Sequence, residues 1–66
     1  MQGIIVKYIS EKGNGFIRGE GARSDTFFHI SALIGGGEPK TDMVVEFIEE
    51  PDPRSGRLRA ANVRPI

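Results

Sequence analysis

The chain has 66 residues, enough for one domain, and we expect residues 1–66 to form a single domain. A domain this small buries only about 60% of its unfolded surface, so many of this size depend on disulfides or a metal. With no cysteine and a single histidine, His29, the chain offers no disulfide and no thiolate or multi-histidine metal site. We therefore expect no metal and no cofactor. Nine basic residues balance nine acidic residues, so nucleic-acid binding would depend on local charge placement.

No stretch approaches the roughly 18 continuous apolar residues of a membrane-spanning helix. The first ten residues contain one apolar patch, which is too short and too polar in its flanks for a signal peptide. We expect a cytoplasmic protein with no membrane contact from this segment.

Short β-rich segments separated by turn signals run along the whole chain, and nine glycines and four prolines argue against a helical protein. The first predicted strand covers Gly3 to Ile9 and ends in a turn at residues 10–13. The second covers Asn14 to Arg18, and residues 19–24 connect it to the third, Asp25 to His29.

The second half continues the pattern with one helical turn. Residues 31–33 are predicted to form that turn with Ser31 as its cap, followed by a loop at residues 35–39. The fourth strand is predicted from Met43 to Glu50 and the fifth from Arg57 to Val63, joined by a long hairpin loop at residues 51–56.

Five short strands in so few residues favour closure into one barrel, because closure removes exposed edges and creates one shared core. We predict an all-β, five-stranded antiparallel barrel. Its predicted core consists of Ile5, Ile17, Phe28, Val45, Phe47, Ala61 and Val63.

Strand alternation then predicts a binding face. If Ile17 and Phe28 point into the barrel, Phe16, Phe27 and His29 point outward on neighbouring strands. Exposed aromatic rings on a small domain indicate a contact surface, and rings on a sheet suit stacking with unpaired bases.

Cations accompany these rings. Lys7, Lys12 and Arg18 are candidates for contacts with backbone phosphates. A second basic cluster near the C-terminus is interpreted as a surface feature first and a phosphate track second, because acidic residues lie beside it; its members are Arg54, Arg57, Arg59 and Arg64. No serine, histidine and carboxylate set is implied, so we expect no enzyme.

Residues 12–17 have the sequence Lys-Gly-Asn-Gly-Phe-Ile, residues 25–33 Asp-Thr-Phe-Phe-His-Ile-Ser-Ala-Leu, and residues 60–63 Ala-Ala-Asn-Val. In these segments the chain resembles the bacterial cold-shock domain family, whose first ribonucleoprotein motif is Lys-Gly-Phe-Gly-Phe-Ile. Residues 25–33 are similar to the second motif region, and residues 60–63 to the closing Ala-Xaa-Asn-Val segment. The resemblance implies an oligonucleotide-binding (OB) barrel, single-stranded RNA or DNA binding with weak sequence preference, and often an RNA-chaperone role.

The chain also departs from that family pattern. Asn14 stands where the family usually has phenylalanine, and Ile30 replaces another common aromatic residue. Aligned from Gly3 without a gap, Lys7 and Tyr8 occupy the family's Trp-Phe positions; a gapped alignment instead puts Tyr8 at the tryptophan position. The resemblance adds Tyr8 and Asn14 to the candidate binding residues, and the missing rings predict binding weaker than the family norm.

A rival interpretation remains open. The same exposed aromatic residues would suit a protein-interaction or accessory module from a larger cold-shock-domain protein, with weak or no nucleic-acid binding. Steep salt dependence of oligonucleotide binding would favour nucleic acid. We expect a monomer, and the alternative is a strand-swapped dimer hinged on the connection between the third and fourth strands.

Overall fold

The computed structural model describes residues 1–35 and 37–66; Gly36, part of the predicted 35–39 loop, lies outside the described residues. Five strands and one 3-10 helix follow in the order β1 (Gln2–Ile9), β2 (Asn14–Gly19), β3 (Asp25–His29), the 3-10 helix (Ile30–Ala32), β4 (Val44–Pro51) and β5 (Leu58–Pro65). Every strand lies within two residues of its predicted bounds. Among the described residues, no helix is long and apolar enough to cross a membrane.

The sheet closes on itself in the order β1-β2-β3-β5-β4, with β4 pairing back onto β1. The predicted five-stranded barrel is therefore confirmed. All pairings are antiparallel except the one between β3 and β5, which is parallel and has Phe27 opposite Arg59. This parallel seam brings the C-terminal strand beside the predicted aromatic face.

The barrel interior holds seven buried hydrophobic side chains and no buried charged or polar residue among the described residues. They are Ile5, Ile17, Phe28, Val45, Phe47, Ala60 and Val63. Six of the seven were predicted. Burying a valine, isoleucine or phenylalanine side chain stabilises a small domain by about 1.5–3 kcal/mol, and Ala60 contributes less.

The prediction that Ala61 belongs to the core is wrong, because Ala61 is half-buried and Ala60 is only 2% exposed. Strict alternation from Val63 fails since β5 contains a bulge, in which Asn62 and Val63 together oppose Phe47. Asn62 adopts the left-handed conformation, with φ of 50°. The extra residue shifts the inward position from Ala61 to Ala60.

The prediction that Ser31 caps the helical turn is wrong, because the observed N-cap lies two residues earlier. The 3-10 helix begins at Ile30, and its N-cap is His29, which is extended with φ of −106° and ψ of 150°. The backbone N–H of Ser31 donates to the imidazole Nδ1 of His29 at 3.1 Å. The His29 side chain thus accepts the backbone N–H that a serine or aspartate cap usually accepts, and Ser31 lies inside the turn.

Candidate nucleic-acid interface

Two phenylalanine rings form the centre of the outer face of β2 and β3. Phe16 and Phe27 are directly opposite each other in the antiparallel ladder, and their ring centroids lie 6.0 Å apart at an interplanar angle of 73°. Both residues are half-buried, whereas Ile17 and Phe28 on the opposite side of the sheet are fully buried. The alternation inferred from the sequence is therefore the one observed. Such an edge-to-face pair fixes both rings while leaving aromatic surface available for contact.

Lys7 joins this face through a bulge in β1. Ile5 pairs with Ile17, but Lys7 pairs with Phe16, so Val6 is an extra residue between them. Regular alternation from the buried Ile5 would send Lys7 inward; the bulge leaves it exposed and beside the Phe16 ring.

Close approach of β1 and β2 keeps Lys7 near the rings. A Cβ built at Gly15 would collide with the Lys7 carbonyl oxygen and lie 2.9 Å from Cε1 of Phe28. Only glycine fits at this contact, so position 15 has a packing role in addition to its place in the first motif.

The structure does not bring Tyr8 to the aromatic face. After the bulge, Tyr8 pairs with the buried Gly15 and is half-buried against the core. Its ring stacks on Phe28, with centroids 6.2 Å apart and an interplanar angle of 17°. Tyr8 is therefore on the core side of the sheet, and the same bulge that exposes Lys7 accounts for this.

A second row of the face contains Asn14 and His29, which are opposite each other in the β2–β3 ladder. His29 is exposed, and Asn14 is half-buried. Because Nδ1 of His29 accepts the Ser31 N–H, we assign the imidazole proton to Nε2 in the neutral ring. The N-cap hydrogen bond thus fixes the orientation of the imidazole ring and leaves Nε2–H available to donate to a ligand.

The two remaining predicted cations lie at opposite ends of the face. Arg18 pairs with Asp25, with Nε 2.7 Å from Oδ1, and both side chains are partly exposed. An exposed ion pair of this kind contributes about 0–1 kcal/mol. Lys12 is exposed in the turn between β1 and β2, where its backbone N–H donates to Ile9 O at 3.2 Å.

Sequence inspection missed the contribution of β5. Arg59 lies directly opposite Phe27 across the parallel seam, so one row of the sheet runs from Lys7 through Phe16 and Phe27 to Arg59. No local sequence signal places Arg59 there, because the pairing follows from closure of the barrel between strands about 30 residues apart.

Two carboxylates hold Arg59. Its Nη2 lies 2.7 Å and its Nε 3.1 Å from Oε2 of Glu50, and its Nη1 lies 3.8 Å from Oδ1 of Asp52. The hydrogen bond that Arg59 donates to Glu50 raises the pKa of Arg59 above its ordinary value, and the charges of Glu50 and Asp52 add to the effect. Arg59 is thus always charged, and the carboxylates of Glu50 and Asp52 neutralise most of its charge.

The loop between β4 and β5 forms a wall beside the rings. It is ordered by its own hydrogen bonds: Asp52 N–H donates to Arg57 O at 2.7 Å, Gly56 N–H to Asp52 O at 2.8 Å, and Arg54 N–H to Asp52 Oδ1 at 2.9 Å. The predicted hairpin loop is therefore part of the candidate site. Two clefts of about 360 Å³ and about 440 Å³ separate this wall from Phe27.

Cations without a carboxylate partner among the described residues lie on both sides of the ring pair, with Lys7 on the β1 side and Arg54 and Arg57 on the loop side. Within the described part of the chain, no carboxylate lies within 4.0 Å of the cationic groups of Lys7, Lys12, Arg54 or Arg57. Arg64, in contrast, pairs with Glu46 at 3.9 Å and lines a different cleft. The basic C-terminal cluster thus divides, and Arg54 and Arg57 belong with the aromatic face.

Comparison with known proteins agrees with this geometry. The chain matches the 'Cold-shock' DNA-binding domain family over residues 1–66. It is similar to the major cold shock protein of Micrococcus luteus, with 40% identity over 63 residues, 92% of this chain and 91% of that protein.

A solved structure of Drosophila Unr CSD456 superposes with a TM-score of 0.82 and 26% identity, over 98% of this chain. This chain corresponds to 26% of the length of that one. The family consists of nucleic-acid-binding, non-enzymatic domains, which confirms the prediction that the chain is not an enzyme. On a family match over its whole length, the chain belongs to the cold-shock domain family.

Proposed function

We propose that this domain binds single-stranded RNA or DNA with low sequence specificity through the outer face of β2 and β3, together with the β4–β5 loop. The observation that carries the proposal is the Phe16–Phe27 pair, half-exposed at the centre of the face and flanked in register by Lys7. Rings at this position offer stacking surface to unpaired bases, and the cations beside them suit the phosphates that link those bases.

Affinity is expected to be modest. Each base stacked on an aromatic ring contributes about 1–3 kcal/mol by alanine substitution. The face offers two phenylalanine rings and the His29 imidazole, while Asn14 and Ile30 occupy positions where the family resemblance implies further rings. Losing two such partners would weaken binding by several kcal/mol if nothing compensates, and Arg54 and Arg57 offer partial compensation through charge.

The test is a titration of a 5′-labelled oligothymidine by fluorescence anisotropy at low salt. Phe16→Ala with Phe27→Ala should weaken binding at least about 30-fold, equivalent to about 2 kcal/mol. The matched control replaces another exposed cross-strand apolar pair, Ile4 and Val44, which are 44% and 38% exposed, by alanine. The control variant should bind as the wild type does.

Circular dichroism must show that both double variants are folded at the assay temperature. Unchanged binding by a folded Phe16→Ala, Phe27→Ala variant would refute the assignment of the site. If the wild type binds no oligonucleotide at low salt, the protein-interaction alternative is favoured instead.

We further propose that the domain acts as a cytoplasmic monomer and as an RNA chaperone, as the family membership suggests. A protein that binds only the unpaired form of an RNA shifts the hairpin equilibrium toward it by mass action. A fluorophore-quencher hairpin with a marginally stable stem should therefore open as protein is added. Sedimentation should give a single species of about 7.2 kDa, and a species of twice that mass would support strand exchange.

A further inference from the structure

The cleft between the ring pair and the β4–β5 loop has the composition of a base-binding site. It measures about 360 Å³, and its apolar surface comes from Phe16, Phe27 and Leu58. Its polar groups include the carboxylate of Asp52 and the side chains of Ser55 and Arg57. An apolar slot of this size with a few polar groups is typical of a site for a small planar molecule.

The neighbouring cleft on the other side of Phe27 differs in charge. It measures about 440 Å³, and Arg54, Arg59 and His29 line it together with Asp52. The smaller cleft holds one arginine and two carboxylates, Asp25 and Asp52. Asp52 lines both clefts, so the difference lies in the other charged groups: Asp25 in the smaller cleft, and Arg54, which has no carboxylate partner among the described residues, in the larger one. A phosphate is therefore favoured in the larger cleft over the smaller one. The Phe27 ring therefore separates a site suited to a base from a site suited to the backbone.

Asp52 is the preorganised acceptor in the smaller cleft. Its side chain is 15% exposed, and its backbone is fixed by hydrogen bonds with Arg57 and Gly56 at 2.7 and 2.8 Å. Oδ1 accepts the Arg54 N–H and lies 3.8 Å from Nη1 of Arg59, and no described residue donates to Oδ2. Asp25, the other acid of this cleft, already accepts from Nε of Arg18 at 2.7 Å. Each acid thus has one oxygen without a hydrogen-bond donor among the described residues. Asp52 is the more enclosed of the two, since its side chain is 15% exposed and that of Asp25 is 31% exposed.

Resting on the proposed function, we propose that this cleft takes an unpaired guanine whose N1–H and 2-amino group donate to the Asp52 carboxylate. A carboxylate accepts hydrogen bonds and does not donate them. The Watson–Crick edge of guanine presents two adjacent donors. Uracil and thymine present one donor between two carbonyl oxygens, and adenine and cytosine present one amino group beside an acceptor nitrogen. Only guanine matches the carboxylate at both oxygens.

The test uses labelled heptathymidine and seven derivatives, each with guanine at one position, titrated into wild type, Asp52→Asn and Glu46→Gln. Glu46 is a matched acid-to-amide control, since it is exposed and lines a cleft without the rings. At one position, guanine should tighten wild-type binding about tenfold over thymine. In Asp52→Asn the ratio of the thymine Kd to the guanine Kd at that position should fall to about one. In Glu46→Gln that ratio should stay at about ten. The asparagine retains an oxygen for the Arg54 N–H, so the loop is expected to stay ordered.

A second measurement needs no variant. Inosine, which lacks the 2-amino group, should lose most of the guanine gain at the same position in the wild type. Binding without a guanine gain at any position, a gain that persists in folded Asp52→Asn, or a full gain with inosine would each overturn the guanine site while leaving the proposed function intact. Absence of binding to every oligonucleotide would instead refute the proposed function, and the guanine site with it.

Discussion

Replacing Asn14 by phenylalanine should convert this domain into a tighter binder. Asn14 lies opposite His29 and two residues before Phe16 on the outer face of β2, and it is half-buried. No described residue forms a hydrogen bond with its side chain. The substitution therefore sacrifices no hydrogen bond and adds a ring beside the existing pair.

The expected gain follows from one additional stacked base, about 1–3 kcal/mol. That range corresponds to about a 5- to 150-fold lower Kd. Phenylalanine is also a better strand residue than asparagine, so the free energy of unfolding should rise by up to about 1 kcal/mol.

The assay is the anisotropy titration with oligothymidine, run on wild type, Asn14→Phe and Asn14→Leu. Leucine adds apolar surface at the same position without an aromatic face, so its gain should be clearly smaller. Equal affinities for the two variants would refute the idea that stacking governs binding here, and a loss in folded Asn14→Phe would place the ligand elsewhere.

Three further predictions concern charge and packing. Lys7→Gln should reduce the slope of log K against log salt by about 0.7 if Lys7 contacts one phosphate; a parallel salt dependence in variant and wild type would argue against that contact. Gly15→Ala should lower the free energy of unfolding by about 1–3 kcal/mol in urea, because its Cβ collides with the Lys7 carbonyl oxygen. Ala60→Val should cost a similar amount, about 1–3 kcal/mol, and Ala61→Val less than about 0.5 kcal/mol; the reverse order would contradict the bulge at Asn62.

Local alternation was sufficient to predict the aromatic face. Because neighbouring residues on a strand face opposite ways, Ile17 and Phe28 cannot share a side with Phe16 and Phe27. The barrel has room for only one set, and the structure buries the first. Strand bounds were predictable for the same reason, since glycine, proline and acidic turn signals separate the β-rich segments.

The two bulges were not predictable from alternation. The extra residue at Val6 turns Lys7 outward and Tyr8 toward Phe28. The extra residue at Asn62 places Ala60, and not Ala61, in the core. A bulge responds to the curvature that barrel closure demands, and Val6 carries no distinctive local signal for one. Asn62, with φ of 50°, gives a weak signal of the β5 bulge, because asparagine adopts the left-handed conformation more often than most residues.

The largest omission was the part of the site contributed by β5 and the β4–β5 loop. Asp52, Arg57 and Arg59 reach Phe27 only because a parallel seam closes the barrel between β3 and β5. Long-range closure of this kind is a property of the whole fold, so the sequence alone favours a surface feature over a phosphate track for the basic C-terminal cluster. Once the seam is known, the same residues become neighbours of the aromatic pair.

The central claim is that single strands bind the outer face of β2 and β3 and the adjoining loop. Backbone amide chemical shifts of ¹⁵N-labelled protein, followed during titration with oligothymidine at low salt, test it most directly. The account predicts the largest changes at residues 14–18, 26–29 and 52–59, and little change around Ile4 and Val44. Changes centred on the Ile4–Val44 side, with the aromatic face unaffected, would contradict it.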